Sequence, residues 1–169
     1  MNKGIVSTGS KEATEAACDI LEAGGNAFDA AVCAVFTSMT SEYALTGIGG
    51  GGAMMLYTPK SGPLIYDFFV DTPYYDGKKE LDFFDSKVDF GDTCQIFHIG
   101  KGSAAVPGTL FGLVNIHKKF GSLPLNIILD PAINLAKEGS KLNQQQAYIF
   151  KLLESIFLHT SEGKKLFAP

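Results

Sequence analysis

The chain has 169 residues, 46% of them hydrophobic and 19% charged, with a net charge of −4. That length and composition support a folded domain with a real core and exclude a disordered chain, while the acidic balance and the lack of a basic patch argue against nucleic-acid binding. No apolar run approaches the roughly 20 residues of a membrane span, and all 14 basic residues are Lys, so no function here can rest on a bidentate guanidinium clamp.

In chain order, residues 4–8 (GIVST) read as a short apolar strand. It begins too early to leave room for a signal peptide, so a cytoplasmic protein is expected. Ser10 is placed to cap a helix over 11–23, where Ala13, Ala16, Ala17, Ile20 and Leu21 recur at helical spacing. Gly24 and Gly25 end it. Asn26 is placed to cap a second helix over 27–40, with Asp29 at the reciprocal capping-box position. This helix is apolar almost all round. Ala27, Ala30, Ala31 and Ala34 form one face and Phe28, Val32, Phe36 and Met39 another, so it should be buried with an alanine face that permits close packing. Residues 53–58 and 63–69 read as the two strands of a hairpin in a central sheet, joined by the PKSG turn. Residues 74–101 mix Asp, Lys, Gly and Phe without period and read as a long loop or insertion. A helix follows Pro107 and stops at Gly121. Another opens at Asp130-Pro131 and closes at Gly139, and an amphipathic helix covers 143–158.

Between the second helix and the hairpin, TGIGGGGAMMLY holds five glycines within residues 47–52. Gly47, Gly49 and Gly52 fit the G-x-G-x-x-G spacing. A dinucleotide fingerprint requires the order strand, glycines, helix, so that a helix N-terminus meets the pyrophosphate. Here the order is helix, glycines, strand. No Lys-Ser/Thr follows the run, so it is not a P-loop either. Bare backbone then serves close approach, to other chain or to a substrate.

The remaining reactive side chains form no constellation. Cys18 and Cys33 sit in apolar helical patterns, and with Cys94 they make an odd number, which points to buried free thiols in a reducing compartment. His98, His117 and His159 are too far apart to suggest a metal site and read as surface or helix-end residues. Asp82, Asp85, Asp89 and Asp92 lack a calcium-loop pattern and read as a solvated face. Ser7, Ser10 and Thr46 sit at turns or caps with no base nearby. No cofactor and no metal is expected.

Five stretches together resemble one family. GGNAFDAAVCA (24–34) resembles GGNAxDAAVA, TGIGGGGAMMLY resembles SGIGGGGFxL, and YDFFVDTP (66–73) stands where that family has D-x-R-E-x-x-P. AAVPGTLFGL (104–113) and LDPAINLAKEG (129–139) resemble AVPGxxxGL and PAIxLAxxG. The family is the γ-glutamyltranspeptidases, also called glutathione hydrolases, and the five blocks lie in order along nearly the whole chain.

The resemblance implies an α+β fold of the N-terminal nucleophile hydrolase type, a four-layer αββα sandwich of which this chain is the N-terminal part of the large subunit. It implies an inactive precursor that cuts itself before a Thr. That Thr hydroxyl then attacks the γ-glutamyl carbonyl, its own α-amine can act as base, and backbone N–H groups hold the oxyanion. The acyl group passes to water or to an amino acid. No Thr of this chain occupies the nucleophile motif, so the catalytic residues are expected in a C-terminal small subunit, the chain's own partner. The substrate is expected to be a small γ-glutamyl or related amide. One block departs from its pattern. Aligning Asp67 and Pro73 puts Phe69 where the family has its carboxylate-binding Arg and Val70 where it has Glu. Phe69, with Asp71 two residues on, is thus the candidate substrate-binding segment. Lys78 or Lys79 is a candidate compensating charge. Three functions stay open: a γ-glutamyl transferase or hydrolase, a relative with altered acyl or amide specificity, and a non-catalytic fragment or pseudoenzyme. The coding sequence beyond Pro169 discriminates the last from the others.

Overall fold

The computed structural model describes residues 4–78 and 80–168. They divide into two compact units, one comprising the chain through Asp71 with Pro107–Lys141, the other Thr72–Val106 with the residues from Leu142 onward.

The first unit is built on helices α1 (Lys11–Glu22) and α2 (Ala27–Ser41). Ser10 caps α1 as its sequence predicts, accepting from the Ala13 N–H. Asn26 and Asp29 form the expected capping box on α2, which fixes where that helix begins. Strands β1 (Gly52–Thr58) and β2 (Gly62–Phe68) pair antiparallel with Met55 opposite Ile65. Alternation along them sends Leu56, Met54, Leu64, Tyr66 and Phe68 toward the core, while Met55, Tyr57 and Ile65 stay exposed. The hairpin is as expected, but among the described residues it makes a two-stranded sheet rather than a strand pair within a wider one. Helices α3 (Thr109–Phe120) and α4 (Leu125–Glu138) pack on α2. Leu113, Ile116, Ile128, Val32 and Cys33 are fully buried where these helices meet.

Two expectations need correction here. Helix α4 begins at Leu125, ahead of the Asp130-Pro131 pair, and carries Pro131 inside it. Pro124 supplies the start: its fixed φ of −59° presets the turn, and its carbonyl accepts from the Ile127 and Ile128 N–H groups. Burial of Ile128 and Ala132 then holds the helix across the lost proline N–H. Residues 4–8 form no strand. Burial alternates along them, with Val6 against the core and Ile5 fully exposed, but among the described residues no neighbouring strand completes a ladder.

In the second unit the aperiodic stretch 74–101 contains an antiparallel hairpin, β3 (Phe84–Asp89) with β4 (Cys94–Ile99), Ser86 opposite Phe97. Val88 is its buried residue. The helix expected over 143–158 is interrupted at Leu153, giving α5 (Gln144–Leu152) and α6 (Glu154–Phe157). A further helix, α7 (Ser161–Phe167), is capped by Thr160. The rings of Phe150, Phe157 and Phe167 cluster with centroids 4.7–5.9 Å apart, which holds these short helices together.

Candidate functional site

The glycine run does not need left-handed backbone, since none of Gly47, Gly49, Gly50, Gly51 and Gly52 has a positive φ. What it needs is room. A β-carbon on Gly51 would stand 2.3 Å from the Val70 nitrogen and 2.7 Å from the Phe69 carbonyl carbon. The Gly50 carbonyl accepts from the N–H groups of both Gly108 and Thr109, each at 3.1 Å. These are the first donors of α3, orphaned at any helix start, and here main chain satisfies them. A β-carbon on Gly108 would lie 2.1 Å from the Phe68 carbonyl oxygen, and one on Gly112 would lie 2.3 Å from the Phe68 ring.

Three segments therefore converge backbone to backbone: the glycine run, the end of β2 and the start of α3. The sequence motifs that point to function meet at this junction. Phe69 stands in it, just beyond β2, with its side chain 69% exposed. Its position is set locally, because the Asp67 carboxylate accepts the Phe69 N–H at 3.0 Å, an Asx turn that stops the strand. Phe69, expected as the last residue of the 63–69 strand, thus lies one residue past its end. Asp71 is exposed at the end of the same segment. Lys78 pairs with Asp76 at 3.8 Å, and Lys79 lies outside the described residues.

A second polar cluster, which sequence reasoning missed, surrounds Asp29. The carboxylate is fully buried. It accepts from the Ser122 hydroxyl at 2.6 Å and from the N–H groups of Asn26, Ser122 and Leu123. Burial raises the cost of ionising it, but these donors together outweigh that and hold its pKa below the usual carboxylate value. His117, mostly buried in the last turn of α3, has Nε2 3.8 Å from Asp29 and 2.8 Å from the Leu123 carbonyl. Ser, Asp and His meet, yet not as a nucleophile and its base. The Ser122 hydroxyl donates to Asp29, and His117 points to a main-chain carbonyl, so the cluster is a structural tie.

The other candidates stay apart. His98 pairs with Asp85 at 3.0 Å across β3–β4, and the His159 ring lies 4.6 Å from Phe84. Asp82 and Asp89 accept from the Lys101 and Gly91 N–H groups. Among the described residues no cluster of His, Cys, Asp and Glu could hold a metal, and no helix is long and apolar enough to cross a membrane. The three cysteines are free, but they are not uniformly buried: Cys33 is, Cys18 is partly so, and Cys94 is exposed at the start of β4.

The γ-glutamyltranspeptidase family model matches residues 13–169. The chain belongs to the γ-glutamyltranspeptidase family. It is 36% identical over 146 residues to the glutathione hydrolase proenzyme of Pseudomonas aeruginosa, covering 86% of this chain and 25% of that protein. It is 34% identical over 177 residues to the proenzyme of the same description from Bacillus subtilis, covering 98% and 28%. The crystal structure of Helicobacter pylori γ-glutamyltranspeptidase superposes with a TM-score of 0.80 at 31% identity, over 98% of this chain and 46% of that one. The fold is therefore α+β of the N-terminal nucleophile hydrolase type, in part. The chain spans about a quarter of the length of the curated relatives it matches.

Proposed function

We propose that this chain is the N-terminal part of a γ-glutamyl transferase or hydrolase made as a proenzyme. It acts on small γ-glutamyl amides of the glutathione type through an N-terminal Thr that lies outside residues 1–169. The observation that carries the reading is the family match over 13–169. The convergence of the glycine run, the Phe69 segment and α3 supports it, because it gathers three of the five family-like blocks at one place. In this reading residues 1–169 belong to the large subunit, 74–101 is an insertion that carries its own hairpin, and the partner is the protein's own small subunit. Phe69 and Asp71 border the acyl group. The three free thiols support a reducing, cytoplasmic setting.

Chemically, the Thr hydroxyl adds to the γ-carbonyl and the amine leaves with a proton. Water or an amino acid then takes the acyl group, which regenerates the hydroxyl. The test is turnover of a γ-glutamyl anilide. The proenzyme-length protein should self-cleave and release the aniline, while the pure 169-residue chain should release none. Turnover by the pure chain that survives removal of contaminants overturns this assignment of the nucleophile.

A further inference from the structure

Where β2 ends, at the pair Gly52 and Phe68, its chain is gripped from two sides. The Phe68 ring lies in a slot between Gly52 and Gly112. A β-carbon on Gly52 would stand 3.3 Å from that ring, and one on Gly112 would run into it. On the next residues Gly51 lies against the Phe69 carbonyl carbon and the Val70 nitrogen. Phe68 and Val70 are accordingly half-buried, while Asp67 and Phe69 alternate with them on the exposed side. With both neighbours clamped, the Phe69 side chain takes its direction from the peptide that joins it to Phe68. The N–H of that peptide is donated to the Asp67 carboxylate at 3.0 Å, which fixes the peptide's orientation from within the segment. Asp67 itself is exposed and stands opposite Ala53 across the hairpin, so it adds little to the core. A side chain that packs so little and yet sets the main chain beside it has a positional role.

We propose that Asp67 is the positioning residue of the Phe69–Asp71 segment, and through it a determinant of affinity for the γ-glutamyl amide. By its turn it holds Phe69 at the border of the acyl group before substrate arrives. This rests on the functional reading above. The role is geometric and not ionic. The turn needs an acceptor oxygen on Cγ, which Asp and Asn both carry. Glu keeps the charge but places its oxygens one carbon farther out. A segment that is already ordered loses less entropy when substrate binds, so loss of the turn is felt in KM. The turnover step belongs to the Thr hydroxyl, which the functional reading places outside residues 1–169, so kcat is left as it was.

The experiment compares Asp67→Asn and Asp67→Glu with the parent in the proenzyme-length protein. It measures kcat and KM for a γ-glutamyl anilide, hydrogen exchange at the Phe69 amide, and the urea midpoint. Asp67→Glu should raise KM about three- to tenfold, the worth of one neutral-strength hydrogen bond. Its kcat and its midpoint should stay at the parent's values, and its Phe69 amide should exchange faster by a factor similar to that in KM. Asp67→Asn should match the parent in all four readouts. In a Phe69→Ala background Asp67→Glu should add less than about twofold to KM, because the residue it acts through is gone. An Asn variant as impaired as the Glu variant assigns the effect to charge and overturns the proposal. So does a Glu variant that loses self-cleavage or lowers the midpoint, which makes Asp67 a folding residue. An active parent whose KM is indifferent to Asp67→Glu defeats the positioning role and leaves the functional reading standing. A parent that releases no aniline defeats the functional reading, and the positioning role with it.

Discussion

Gly51 lies against Val70 so closely that a β-carbon on the one would stand 2.3 Å from the nitrogen of the other. The glycines of the run are therefore not equivalent. Gly51→Ala must push β2's exit away and should cost about 1–3 kcal/mol, the range for forced overpacking. At Gly47 and Gly49 an added methyl would meet nothing within 4 Å, and neither has a positive φ. Alanine at either should change stability by less than about 0.5 kcal/mol. Urea unfolding midpoints of the three variants check this, and equal losses at all three would refute the contact argument.

Asp29 should be the costliest polar side chain to remove. Asp29→Ala strips the α2 capping box and leaves the Ser122 and Asn26 donors buried without an acceptor. A loss of roughly 2–4 kcal/mol follows from the worth of hydrogen bonds to a charged group. The pH dependence has a fixed sign. Folding lowers this carboxyl's pKa, so its contribution is complete above the unfolded value of about 3.9. It is lost as pH falls through the lower folded value. Stability of the parent chain against urea should therefore decline below about pH 4 more steeply than that of Asp29→Asn. Parallel declines would show that the carboxylate is not the titrating group.

Phe69 tests the substrate proposal. Its side chain is largely exposed, so Phe69→Arg should barely alter stability. In the proenzyme-length protein the exchange supplies a planar cation where the resemblance expects one. A charged hydrogen bond is worth roughly 1.5–3 kcal/mol, on the order of ten- to hundredfold in specificity. The parent should prefer a γ-glutamyl amide only weakly over the matching acyl amide that lacks the α-carboxylate. Phe69→Arg should raise that preference in kcat/KM by this factor. A strong preference in the parent, unchanged by the substitution, would remove Phe69 from the acyl site.

The thiols should separate by reactivity. Burial pushes the Cys33 thiol up to about 11, only partly offset by its contact with Thr37. Since the thiolate is the reacting form, Cys33 should stay unmodified by an aromatic disulfide reagent in the folded protein. Cys94, exposed, should react at least tenfold faster. Mass spectrometry of the labelled peptides decides it.

What the sequence disclosed and what it hid follow one physical line. Ser10, Asn26 and Asp29 act on their own helix starts, so α1 and α2 were readable to within a residue or so. Alternation in 53–69 declared the hairpin because one face is buried. The β3–β4 hairpin was hidden, because its outward positions carry Asp85, Lys87 and His98 beside inward Phe84, Val88 and Phe97, a pattern diluted by the loops around it. The start of α4 was hidden by Pro131, which signals a boundary locally but is overruled by packing. At the candidate site the glycine run announced close approach. That Gly50 and Gly51 would meet Gly108 and Val70 is a long-range pairing with no local mark. The bond from Ser122 to Asp29 spans 93 residues and is equally silent.

One more property follows from the contact of Gly108 with the Phe68–Phe69 main chain. The chain leaves the first unit after Asp71 and rejoins it at Pro107, and those two stumps begin almost touching. The first unit already holds both ends of the detour, so the loop-closure entropy of 72–106 rises only with the logarithm of its length. The detour can therefore lengthen, shorten or be exchanged with little effect on the unit that carries the junction.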